Sequence, residues 1–119
     1  MQSRSTKVAD LSLEASGCCV RCRVVAVTVA AQMGAGEGDA VSCSEVLVGD
    51  ETGCISMTLV GDQVELLQPG RSFEAENCAV EVFQKSLRLS VGRWGRIAIL
   101  QPGLTCDVNL QNNLSTEAL

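Results

Sequence analysis

Histidine and tyrosine are both missing from this 119-residue chain, and its only aromatic residues are Phe73, Phe83 and Trp94. Without imidazole or phenol, proton transfer would fall to carboxylates, lysine or thiols. No pair of carboxylates lies in an apolar stretch, so the chain reads as a non-enzyme. A structural zinc site is equally hard to assemble. Cys19-Val-Arg-Cys22 has the spacing of a ligand pair, but no histidine and no second close pair completes four ligands. A strand also sends positions i and i+3 to opposite faces. Neither metal nor cofactor is expected. The glycines of Gln32–Ala40 (QMGAGEGDA) lack the Lys-Ser/Thr that closes a phosphate loop.

Long apolar runs are absent too. The longest, 24–31, is interrupted by Thr28 and falls well short of the roughly 18–20 residues that cross a bilayer, so no membrane partner is expected. Residues 1–10 mix Arg4, Lys7 and Asp10 with Ser and Thr and contain no secretory core, which points to a reducing, intracellular setting. There, seven irregularly spaced cysteines read as small buried thiols rather than a disulfide framework.

What is present suits one domain with one core: 46% apolar and 19% charged residues. The net charge of −5 opposes strong attraction to phosphate unless the cations are gathered in one place. Strand patterns dominate. Cys19–Ala31 is rich in β-branched residues, Ser44–Gly49 follows the Gly-rich loop, and Asp50–Gly53 (DETG) reads as a tight turn. Cys54–Val60 alternates most clearly, with Ile55, Met57 and Leu59 on one face and Cys54, Ser56, Thr58 and Val60 on the other. Asp62–Glu65 has the spacing of a capping box, and Pro69-Gly70 ends a short helix. Phe73–Gln84 predicts a fourth strand with a bulge near Asn77 or Cys78. Leu87–Val91 predicts a fifth, with Ile97–Leu100 extending it beyond a loop at Gly92–Gly95. The tail 105–119 is polar, and disorder is expected there. Three strands, a helix, then two strands is the order of a five-stranded Greek-key barrel of the oligonucleotide/oligosaccharide-binding (OB) type, here placed at 1–104.

The stretch Val48–Gly70 (VGDETGCISMTLVGDQVELLQPG) resembles the single-stranded DNA-binding proteins of the replication protein A type, in particular the OB-fold subunits of the SOSS single-strand sensor complex. The likeness rests on the D-x-T-G turn, the alternating strand and the Q-P-G after the helix. It continues through Val82–Arg93 (VFQKSLRLSVGR). It implies a nuclear protein that holds single strands across strands 2, 3 and 5, in repair or replication, beside other subunits of a genome-maintenance complex. RNA is left open as a ligand. Phe83 matches a stacking aromatic of that family. Val60, Ala79 and Ser90 stand where it places a tryptophan and tyrosines, so binding is expected to be weak and largely independent of sequence.

The residues themselves offer one concentrated cluster. Lys85–Arg96 (KSLRLSVGRWGR) holds four of the nine basic residues, no acid, and Trp94. Cations interleaved with an aromatic and glycines suit a single-strand groove. Phosphates are expected along Arg21, Arg23, Lys85, Arg88, Arg93 and Arg96, bases over Phe83 and Trp94, and base hydrogen bonds at Ser56 and Thr58. The competing expectation is a protein–protein module that has kept the barrel and lost its platforms, docking a partner over Leu47, Val60 and Ala79.

Overall fold

The computed structural model describes residues 6–12, 17–33, 42–83 and 85–116, without the side chains of 29–33, 42, 83, 93 and 94. The Gly-rich loop from residue 34 onward lies outside the described residues. Among those described are five strands: β1 (Cys18–Met33), β2 (Ser42–Asp50), β3 (Gly53–Val60), β4 (Ser72–Phe83) and β5 (Ser86–Ile99). One short helix, α1 (Gln63–Leu66), joins β3 to β4. The strands close in the order β1-β2-β3-β5-β4, with β4 pairing back onto β1. Of these pairings, β3 with β5 is the parallel one. This is the five-stranded OB barrel that the element order predicts, with its helix between strands 3 and 4.

Period-2 patterning builds the interior. Ile55, Met57 and Leu59 of β3 are fully buried, while Thr58 and Val60 are exposed. Val20, Cys22 and Val24 of β1 meet Val46 and Val48 of β2, Phe73 and Ala75 of β4, and Leu87, Leu89 and Val91 of β5 in one core. Among the described residues Phe73 is the largest fully buried side chain. Burying a side chain of this class contributes about 1.5–3 kcal/mol. Cys22 lies in that core and Cys19 outside it, which separates the two thiols of the Cys-x-x-Cys.

Three local expectations need correction. The capping box does not form: Asp62 has helical dihedrals (φ −63°, ψ −21°) and makes no capping bond with its side chain. A cap residue normally sits in the extended region. Gln63 anchors the helix instead, accepting the Val60 amide at 3.1 Å and donating to the Val91 carbonyl at 3.3 Å. Gly92–Gly95 is not a loop but the middle of β5. Across from it, β4 slips register between Glu76 and Cys78, and Asn77 takes φ 57°. That is the bulge the sequence predicts. A Cβ on Gly95 would come within 2.4 Å of Val91 Cγ1 and 2.9 Å of the Glu76 carbonyl, so only glycine lets β5 stay paired there.

The third correction is Cys54, and the polar tail explains it over the residues described. Residues 104–116 lie against the barrel. Leu114 is buried, and its amide bonds the Cys54 carbonyl at 2.9 Å, while the Cys54 amide bonds the Asn112 carbonyl at 2.9 Å. Ser115 Oγ accepts the Ser56 amide at 2.9 Å and donates to the Leu87 carbonyl, so one hydroxyl bridges β3 and β5. Those two strands pair directly only at Ser56–Arg88 and Met57–Leu89. The tail closes the gap beside that short ladder and satisfies backbone groups that would otherwise need another partner. Cys54 is consequently buried, not outward-facing as the alternation predicts.

Candidate nucleic-acid interface

The outward faces of β2, β3 and the first half of β5 meet in a groove of about 580 Å³. Its length is set by registers already fixed by the core: Glu45 of β2 opposite Thr58 of β3, Ser56 of β3 opposite Arg88 of β5, and Arg88 opposite Glu81 of β4. Thr58 and Ser90 line it with hydroxyls, and Val60 and Val82 with exposed apolar surface at 47% and 45%. Gln63 places α1 at one end, and the exposed Cys43 stands at the β2 side.

Arg88 is ion-paired with Glu45 across β3, and both side chains are largely buried (17% and 18% exposed). The other oxygen of the Glu45 carboxylate accepts the Thr28 hydroxyl at 3.0 Å. Among the described residues the groove therefore sets two carboxylates, Glu45 and Glu81, against one guanidinium. The sequence pattern hides this acidity, because the acids come from β2 and β4 and not from the basic segment itself. Period-2 placement of Glu45 on the face of Thr58 was the available signal.

The six cations expected along one path are divided. Arg21 donates to Glu74 at 2.8 Å on the β1–β4 wall, and Arg96 stands opposite Glu76 on the same side of the barrel. Charges of both signs alternate there, as cross-strand pairs favour. Arg23 is half-buried and donates to the Leu104 carbonyl at 3.1 Å and to the Cys106 carbonyl, clasping the C-terminal segment. Lys85 is exposed in the β4–β5 turn at φ 66°. Phe83 ends β4 opposite Ser86, while Arg93 and Trp94 lie within β5; the side chains of all three are outside those described. Of the expected set, the groove brings together Arg88 and Thr58 directly, with Ser56 beside them.

Thiol chemistry is suppressed in the interior. Burial pushes the Cys54 thiol up, drives Cys22 far above the ordinary range, and raises Cys78 to about 11. Among the described residues no group of metal-ligating side chains converges, and no helix is long and apolar enough to cross a membrane.

A closed five-stranded barrel with a groove over β2, β3 and β5 is the architecture of the OB fold, in which the face of strands 2 and 3 is where members bind oligonucleotides or oligosaccharides. The chain belongs to the Ssb-like single-stranded DNA-binding proteins with the OB fold, whose family model matches residues 11–99. It is 42% identical over 71 residues to the uncharacterized protein At4g28440 of Arabidopsis thaliana, a match covering 60% of this chain and 46% of that relative. The chain thus spans about half the length of that curated relative. The solution structure of the hypothetical protein F20O9.120 from Arabidopsis thaliana superposes with a TM-score of 0.84 at 29% identity, covering 99% of this chain and 87% of that one. A replication protein A heterotrimer bound to single-stranded DNA shares the fold, with a TM-score of 0.67 at 15% identity over 87% of this chain and 26% of that one.

Proposed function

We propose that this protein is a weak, largely sequence-independent binding module for single-stranded DNA, and that the strand lies in the groove over β2, β3 and β5. The observation that carries the reading is the groove itself, in a chain whose residues 11–99 match a single-stranded DNA-binding family. Ser56, Thr58 and Arg88 are the proposed contacts at its centre, and Phe83 and Lys85 at the β4–β5 turn and Arg93 and Trp94 farther along β5 are proposed as further contacts. Arg21, Arg23 and Arg96 are left out, because Glu74, Glu76 and two backbone carbonyls stand against them.

Weakness follows from composition. Each base–aromatic stack is worth about 1–3 kcal/mol, so three absent platforms at Val60, Ala79 and Ser90 forgo roughly 3–9 kcal/mol. Titration of labelled oligo-dT of about 20–30 nucleotides at low salt tests the proposal, with saturable binding expected in the micromolar range. Absence of saturable binding at tens of micromolar protein refutes it. The same reading extends to a nuclear role in repair or replication beside subunits of a genome-maintenance complex of the SOSS kind. Enrichment of the tagged protein on exposed single strands after replication arrest is expected; a distribution that arrest does not change refutes that extension.

A further inference from the structure

We propose that Glu45 is a built-in competitor for phosphate at Arg88, and that the Glu45–Arg88 bridge sets the affinity of the groove. The inference rests on the reading above that the groove takes a single strand. Glu45 faces Thr58 from β2, and Arg88 flanks Ser56 from β5, so the pair spans β3 in the middle of the groove. A strand running over β3 meets this bridge. One Glu45 oxygen is committed to Arg88 and the other to the Thr28 hydroxyl at 3.0 Å, and both partners are largely buried. The bridge is therefore a preorganised pair, unlike a mobile surface contact.

Carboxylate and phosphodiester are alternative anionic partners for one guanidinium, and both accept its N–H groups in the same way. A phosphate gains Arg88 only by displacing Glu45, whose carboxylate must then remain beside the incoming charge. Glu81, opposite Arg88 on β4, opposes the phosphate from the other side. Arg88 contributes little counterion release while the bridge is intact. The groove then discriminates against any anion too weakly held elsewhere to open it.

Glu45→Gln keeps the shape of the side chain and an acceptor for Thr28 while removing the competing charge. Titrated with labelled oligo-dT in the full chain, it is expected to bind about three- to tenfold more tightly at low salt. Its log–log salt dependence should steepen by about 0.7, the increment for one further single-strand phosphate. Glu45→Asp, which keeps the charge but shortens its reach, should give a smaller gain. In an Arg88→Ala background, Glu45→Gln should change affinity by less than about twofold. An equal gain in that background overturns the proposal, because a general loss of negative charge would then account for it. Binding by the wild-type chain with no gain in either Glu45 variant overturns this inference alone. No binding by wild type or variants overturns the inference together with the single-strand reading.

Discussion

Asp50→Ala should be among the most destabilising single changes outside the hydrophobic core. Asp50, the acid of the D-x-T-G turn, is only 2% exposed. One carboxylate oxygen accepts the Val8 amide at 3.0 Å, and the other accepts the Thr52 amide at 2.8 Å and the Thr52 hydroxyl at 2.5 Å. Truncation leaves three donors without their acceptor. Val8 is fully buried, so its amide cannot turn to water, at a cost of about 1–3 kcal/mol. Thr52 is half-buried, and its two donors recover part of their bonding from solvent, adding roughly 1–2 kcal/mol. The total, about 2–5 kcal/mol, is a large share of the roughly 5–15 kcal/mol that holds a domain together. Asp50→Asn keeps one oxygen but sets an amide N–H against a donor, so its cost should be intermediate, about 1–3 kcal/mol. Urea unfolding with an unchanged slope is the assay, and the alanine variant should melt roughly 6–20 °C lower. A cost below about 1 kcal/mol for Asp50→Ala would show that water reaches the Val8 amide, and the argument would fail.

Leu114→Ala should cost about 2–4 kcal/mol by urea unfolding, because the tail seats this side chain in the core; a change under about 0.5 kcal/mol would show the tail to be dispensable. Stability should fall at alkaline pH. The Cys78 thiol holds its proton more tightly folded than unfolded, so its contribution is intact below the ordinary thiol value of about 8.5 and is lost as pH rises toward about 11. Cys78→Ala should flatten that part of the pH–stability curve, and an equally steep curve in the variant would refute the assignment. Val60→Trp, which restores an aromatic on the exposed end of β3, should tighten oligo-dT binding by about 1–3 kcal/mol in anisotropy titrations. Unchanged or weaker binding would place the strand elsewhere.

The barrel was legible where one side of a strand faces only the core. Ile55, Met57 and Leu59 declare β3 because their burial depends on parity alone. The D-x-T-G turn was legible for a related reason: its glycine meets the tail so closely that a Cβ would lie 2.8 Å from Asn112. That Asn112 would be the neighbour was not legible. Cys54 has an outward parity, yet contacts from 58 to 60 residues away in sequence cover it. Polar segments that dock through backbone hydrogen bonds leave no hydrophobic periodicity to read. The positions of the cations around the barrel were not legible for another reason. Strand parity tells which side of the sheet Arg21, Arg23 and Arg96 occupy, but a closed barrel has one continuous outside, and only the strand order assigns positions around it.

That distribution constrains any strand held here more than the net charge does. Arg88 is bridged by Glu45, Arg21 by Glu74, and Lys7 by Glu51, while Arg23 is clasped by carbonyls. A ligand in the groove would gain first from Thr58, Ser90 and the apolar surface of Val60 and Val82, and from phosphate neutralisation only second. Hydroxyl and apolar contacts carry little salt dependence, whereas each neutralised single-strand phosphate adds about 0.7 to the slope. If the proposed reading holds, binding is expected to be weak and also shallow in its salt dependence. A steep slope, near −3 or beyond, would require about four phosphate contacts and hence a cationic path that the groove between β2 and β5 does not possess among its described residues.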